Sequence, residues 1–268
     1  MTLISHAVTN LPGMRWTHRL VMIPVAVLGL LAGACGDDES AGGASGDLVV
    51  LAAASLGEAY TEIGAAFMAA RPGVTVMFNF ASSSDLVAQI LEGAPADVYA
   101  SADETNMTKL IDTGGGAGEP RVFATNRLEI IVEPGNPLGI SGVADLADRD
   151  LIYVTCAPDV PIGRYALQVL EAAGVAVTPA SLEENVKGVV TKVTAGEADA
   201  GIVYATDVIA AGTDAEGVVI PADINVEATY PIVVAANATN PAGAQAFVDF
   251  VLGDEGQAIL AEHGFGPP

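Results

Sequence analysis

In the stretch Leu51-Ala52-Ala53-Ala54-Ser55-Leu56-Gly57-Glu58 one kind of backbone gives way to another. The apolar run Leu48–Leu51 leads in as a buried strand. Beyond Ser55, small and apolar residues recur at Tyr60, Ile63, Gly64, Phe67 and Met68, which is helical spacing. Three alanines keep the space above the strand end open. A helix beginning at Ser55 presents unpaired N–H groups and a partial positive charge to that space. Taken alone, the stretch is accounted for by Ser55 as an N-cap, with Glu58 completing a capping box. The same arrangement recurs further along, and that changes its weight.

Working outward, strand-like and helix-like segments alternate through the chain after residue 47. Strand 48–51 and helix 57–70, stopped by Arg71-Pro72-Gly73, are followed by the alternating strand Val74–Phe80. The serine-rich turn Ala81-Ser82-Ser83-Ser84-Asp85 then opens a helix with Leu86, Val87, Ile90 and Leu91 on one face, and Asp97–Ala100 reads as a strand. Arg127–Val132 looks like a long strand leaving this unit. A second unit follows, with strand 151–155, helix 162–173, a helix over about 186–195 and strand Ala200–Tyr204. Tyr230–Ala235 is another long strand, and helices 241–252 and 255–262 close the chain. The pattern predicts an α/β protein of two doubly wound lobes joined by a two-stranded hinge, with the ligand cleft between them. Lobe 1 is expected at 47–125 and 234–268, lobe 2 at 126–233.

Four helix starts then fall at strand ends, two in each lobe. Ser55 opens one. The serine turn opens the second, with Ser84 or Asp85 as a plain cap in the plainest reading. At Val160-Pro161-Ile162-Gly163, proline at the first helical position leaves the Ile162 and Gly163 amides free. At Glu184-Asn185-Val186-Lys187, Asn185 is the cap and the Val186 amide is free. Converging on one cleft, these starts would line it with hydroxyl and amide donors and no cation, which suits a small dianion. Serine catalysis is the rival, but a serine nucleophile needs a base. His263 is the one histidine beyond the N-terminal segment, and neither a G-x-S-x-G elbow nor a Ser-x-x-Lys pair is present. The acids are scattered, with no histidine cluster or cysteine pair to hold a metal cation, and the six tyrosines include no adjacent pair.

The first 34 residues contain no acid, two arginines (Arg15 and Arg19) and the apolar run Leu20–Ala34. They read as a signal peptide, with Met14 as a second possible start. The small residues before Cys35 resemble the lipobox of bacterial lipoproteins, with Ala32 where leucine is usual. Residues 35–46 then form a lipidated cysteine and a flexible polar tether. The other cysteine, Cys156, follows an apolar run and reads as a small core residue. Beyond the signal, 8 basic residues face 33 acidic ones, a net charge of −25. Such a charge argues against nucleic acid and against electrostatic docking on anionic lipid.

The motifs Ala52-Ala53-Ala54-Ser55-Leu56, Phe80-Ala81-Ser82-Ser83-Ser84, Gly93-Ala94-Pro95-Ala96-Asp97-Val98, Val160-Pro161-x-Gly163-x-Tyr165-Ala166, Gly201-Ile202-Val203-Tyr204 and His263-Gly264-Phe265 occur in order. As a set they resemble the molybdate-binding proteins of ABC importers, among the two-lobed, type II extracytoplasmic solute-binding proteins. The resemblance implies a site for molybdate or tungstate. Ser55 and Ser83 would give hydroxyl and amide, Ile162 and Val186 their amides, and Tyr204 its phenol. Ile162 stands where the family commonly has alanine, so it would narrow the pocket without removing the amide. Asp85 is a further departure: turned inward, it would repel a dianion and favour hydrogen phosphate.

The resemblance also implies a monomer without cofactor, held by its lipid at the outer face of the cell membrane and serving a permease with its ATPase. Sulfate, phosphate or another small anion is the nearest alternative ligand. A secreted serine-dependent enzyme and a non-transport lipoprotein are the more distant ones.

Overall fold

The structure, a computed structural model, describes residues 45–268. The expected signal peptide, Cys35 and most of the tether lie outside the described residues. The first half is built from β1 (Gly46–Ala53), α1 (Gly57–Ala70), β2 (Val74–Ala81), α2 (Ser83–Leu91), β3 (Val98–Ala100) and α3 (Glu104–Asp112). Strand β1 is flanked by β2 and β3, both parallel to it. Register runs from Gly46 opposite Val74 to Ala53 opposite Ala81. Because Ala53 and Ala81 are partners, both strands end at the same edge. The two serine turns therefore open side by side.

Strand β4 (Arg121–Val132) runs the whole way through the molecule. Its first part pairs antiparallel with β9 (Glu227–Val234), with a register shift between Val122 and Ala124. Its last part pairs antiparallel with β7 (Ala200–Tyr204) and β8 (Glu216–Val219). The second half holds β5 (Tyr153–Cys156) between β6 (Ser181–Glu183) and β7, both parallel to it. It also holds the helices α4 (Pro161–Ala172), α5 (Val186–Thr194) and α6 (Ala205–Ala211). Finally α7 (Pro241–Leu252) and α8 (Asp254–Glu262) return to pack on β1, β9 and α1. The sheet order is β2-β1-β3-β9-β4-β7-β5-β6, with β8 on β4. The sheet is mixed: parallel within each half, as a doubly wound arrangement requires, and antiparallel where β4 and β9 cross.

The core forms one large cluster of buried side chains running through both halves and a smaller one around Leu51, Leu86, Tyr99 and Leu110 in the first. Tyr60 packs edge-on or tilted against Phe78, Phe123 and Phe247, with centroids 5.8–6.2 Å apart. Cys156 is a buried free thiol whose pKa burial pushes up, an inert filler of the core. Asp97, buried within the Gly93–Val98 motif, is a structural clasp. One oxygen accepts from the Val49 amide at 2.8 Å; the other accepts from the amides of Thr239 and Asn240 and the Thr239 hydroxyl. It thereby fixes the start of α7 against β1.

Several boundaries differ from the sequence expectation. Ser55 does not begin a helix; it lies in a 3-10 turn (Ala54–Leu56), and α1 starts at Gly57. The Ser55–Glu58 capping box is absent. In the second turn the cap is Ser82, neither Ser84 nor Asp85. The long strand placed at 127–132 is the last part of β4. Helices α3 and α6 and strands β6 and β8 have too short or too polar a pattern to stand out in the sequence.

Candidate functional site

The ends of β1, β2 and β7 and the starts of α4 and α5 converge on one cavity. Its lining contains Ser55, Ser83, Ile162, Val186 and Tyr204, and the rest is alanine, Ser82, Val160, Pro161 and Asn185. No charged side chain contributes to it. The space open to the centre of a water molecule is about 20 Å³. A sphere of that size, enlarged by a water radius of about 1.4 Å, is about 3 Å in radius, the dimension of one small tetrahedral ion.

The Ser83 and Ser55 hydroxyls are held from behind. Ser83 Oγ accepts from the Ala102 amide at 2.9 Å, and the Ser83 carbonyl accepts from the Tyr99 phenol at 2.9 Å. The Ser83 hydroxyl proton is therefore free to point into the cavity. Ser55 Oγ lies 3.1 Å from the Tyr230 hydroxyl, which in turn receives a long 3.5 Å contact from Asn126 Nδ2. With Asn126 able only to donate there, Tyr230 can donate onward to Ser55, which leaves the Ser55 proton for the cavity. Ser82 behaves differently. Its oxygen accepts from the Asp85 amide and donates to Asp85 Oδ2 at 2.6 Å. Asp85 is exposed and absent from the lining, so the inward carboxylate considered from sequence is excluded.

The amides come from unsatisfied helix starts. Helix α4 has Pro161 in its first turn and no side-chain cap from Val160. The Asn185 side chain caps α5 through the Lys187 amide at 3.0 Å, which leaves the Val186 amide uncapped. Glycine at 163 is what lets α4 sit so low: a Cβ there would fall 2.6 Å from the Cys156 carbonyl oxygen and nearer still to that of Ala157.

Tyr204 closes the set. It is buried at 1 % exposure, edge-on to Tyr230 at 5.7 Å, and its hydroxyl has no hydrogen-bond partner. Burial raises its pKa well above the ordinary phenol value, so it is a neutral donor at physiological pH. The hydroxyls of Tyr60, Tyr153 and Thr155 are also buried without partners, but Tyr204 alone among these four faces the cavity. A buried donor without an acceptor is costly, and a bound anion would satisfy it.

The model of the bacterial extracellular solute-binding protein family matches residues 48–266. The chain belongs to that family. As a solute-binding protein it is 40% identical over 261 residues to the molybdate-binding protein ModA of Mycobacterium tuberculosis H37Rv, covering 95% of this chain and all of that one. It is 32% identical to the ModA of Escherichia coli K12, over 89% of this chain and 97% of that one. Among solved structures it resembles the substrate-binding domain of a putative molybdenum ABC transporter from Clostridium difficile. The TM-score there is 0.63 at 27% identity, covering 83% of this chain and 99% of the other.

Two ion pairs of this solute-binding protein span the two halves beside the cavity. Arg164 of α4 meets Asp103, the cap of α3, and Lys187 of α5 meets Glu58 of α1. Sequence reasoning did not find Lys187, or Tyr230, Asn126 and Asp207 behind the cavity. Asp207 alone carried a local signal, three residues beyond Tyr204 at a helix start. Its Oδ2 accepts from the Tyr204 amide at 3.3 Å.

Asp207 makes a pH prediction. Burial pushes its pKa up to about 6, although the Lys187 ammonium pulls it part of the way back. The folded state therefore holds this proton more tightly than the unfolded chain does. The stability it contributes is fully present below the ordinary value of 3.8 and is lost as pH rises through about 6. The unfolding free energy of the native protein minus that of Asp207→Asn should fall by on the order of 2–3 kcal/mol between those limits. Parallel urea titrations at several pH values check this; a flat difference would refute it.

Proposed function

We propose that this protein is an extracytoplasmic receptor that binds molybdate or tungstate and delivers it to an ABC importer. The observation carrying the reading is the cavity itself: ion-sized, walled by alanine, furnished with hydroxyl and amide donors, and free of charged side chains. Ser55, Ser83 and Tyr204 would donate hydroxyl protons. The amides of Ser55, Ser83, Ile162 and Val186 would supply the rest. Molybdate and tungstate are fully deprotonated dianions at neutral pH, so every oxygen accepts and none donates. Hydrogen phosphate would bring a proton with no acceptor to meet it, since Asp85 is turned away and committed to Ser82. Sulfate has the same charge but is smaller, so size is what discriminates against it. Neutral donors in a dry site make strong hydrogen bonds to a charged ligand, and no lysine or arginine is needed at the anion.

In the same proposal, residues 47–125 with 234–268 and residues 126–233 act as two lobes that close about β4 and β9. The closed form is what the permease and its ATPase recognise, and the protein works as a monomer without cofactor or catalytic activity. Cys35 anchors it by a lipid at the outer face of the membrane. Among the described residues no helix is long and apolar enough to cross a membrane.

Thermal unfolding of the purified protein with molybdate, tungstate, sulfate or phosphate tests the ligand. At a thousandfold excess over Kd, a ligand specific to the folded state adds about 4 kcal/mol, which for a domain of this size raises Tm by roughly 8–16 °C. A shift of that order is expected with molybdate and tungstate only. No shift with any of the four would sink the proposal, and a shift with sulfate or phosphate instead would move it to that anion.

A further inference from the structure

Lys187 stands one residue beyond Val186 and, among the described residues, is the only cation in direct contact with an acidic residue on both α1 and α6. Its ammonium donates to both oxygens of Glu58, at 2.9 and 2.8 Å, and lies 3.0 Å from Asp207 Oδ1. The Asp207 contact is one of charge, because that oxygen receives no aligned hydrogen bond. The positions are telling. Glu58 is three residues past Ser55, Lys187 one past Val186 and Asp207 three past Tyr204. One ammonium thus gathers the starts of the three helices that follow three of the proposed ligand contacts. Glu58 belongs to the first half, and Lys187 and Asp207 to the second.

We propose that Lys187 is a positioning residue: an ionic latch that joins Glu58 across the cleft when the anion is bound and sets how long the anion stays. The inference rests on the oxyanion-receptor reading and adds a residue to it. A pair between exposed, flexible side chains contributes little, but here the Asp207 side chain is fully buried and those of Lys187 and Glu58 are 31 % and 48 % exposed. Lys187 serves Asp207 whether the cleft is open or closed, since both lie in the second half. The Glu58 contact is the part that opening would break. Without the ammonium, the buried Asp207 carboxyl would take up a proton, and the start of α6 behind Tyr204 would lose its ionic tie. Loss of a charge partner in such a setting acts mainly on release rather than on encounter.

Release of radiolabelled molybdate into excess unlabelled molybdate separates the latch from ordinary structural support. Lys187→Met should speed release about 10- to 100-fold with association changed less than about threefold, and Lys187→Arg should restore most of the native rate. Glu58→Gln, an exposed change that leaves the buried Asp207–Lys187 contact in place, should speed release by about two- to fivefold. The double variant should be no faster than Lys187→Met alone. Release from Glu58→Gln at the native rate, or effects of the two substitutions that simply multiply, would overturn the latch while leaving the receptor reading intact. A native protein that holds no molybdate overturns both.

Discussion

Replacing Ser55 and Ser83 together by alanine should weaken molybdate binding by about 10²- to 10⁴-fold. Each hydroxyl is one hydrogen bond to a charged oxygen, worth about 1.5–3 kcal/mol, and two of them span that range of affinity. Each single variant should also lose stability without ligand. Ser83 Oγ is the acceptor for the buried Ala102 amide; Ser83→Ala leaves that amide unpaired and should cost about 1–3 kcal/mol without ligand. Ser55→Ala takes the acceptor from the buried Tyr230 hydroxyl, whose remaining contact with Asn126 brings only another donor, so a similar cost of about 1–3 kcal/mol is expected without ligand. Calorimetric titration with molybdate and thermal unfolding of the free proteins read the two effects separately. A double variant that binds within about threefold of the native protein would remove the serines from the site.

Gly163→Ala should be nearly as damaging, although it deletes no donor. The obstacles to a Cβ are the backbone carbonyls of Cys156 and Ala157, not the ends of flexible side chains. Either the turn after β5 or the start of α4 must therefore move. Overpacking of this kind costs about 1–3 kcal/mol. Any outward shift of α4 carries the Ile162 amide away from the cavity, where hydrogen bonds weaken steeply with distance and angle. A fall in affinity of at least about tenfold is expected, with a lowered Tm in the free protein. Unchanged affinity in a destabilised variant would mean that the α4 start does not contact the ligand.

The serine turns, the proline-led start at 161 and the asparagine cap at 185 were legible in the sequence because turn and cap chemistry is local. Their meeting in one cavity follows from sheet order. Ala53 faces Ala81 only because β1 and β2 pair in parallel, and the second half reaches them only through β4 and β9. Here the family resemblance supplied what periodicity could not. The supports of the site were invisible for the same reason. Tyr230 lies 175 residues from Ser55 and Glu58 129 from Lys187, separations that leave no local pattern. Where local reading failed outright, as with Ser55 as a helix cap, tertiary packing had taken the side chain: its partner is Tyr230, and Glu58 belongs to Lys187.

The alanine walls and uncapped helix starts have a consequence for inheritance. Much of the proposed recognition resides in peptide groups, which every residue except proline supplies. Drift at Ile162 or Val186 can exchange one side chain for another without touching the donor. A lineage can therefore keep its ligand while its sequence wanders, and can acquire a new one by a small change in wall volume. Overall identity is then a poor gauge of what such a receptor carries. On the proposed reading the informative positions are the few where a hydroxyl is the donor, Ser55, Ser83 and Tyr204, together with glycine at 163, whose value lies in having no side chain.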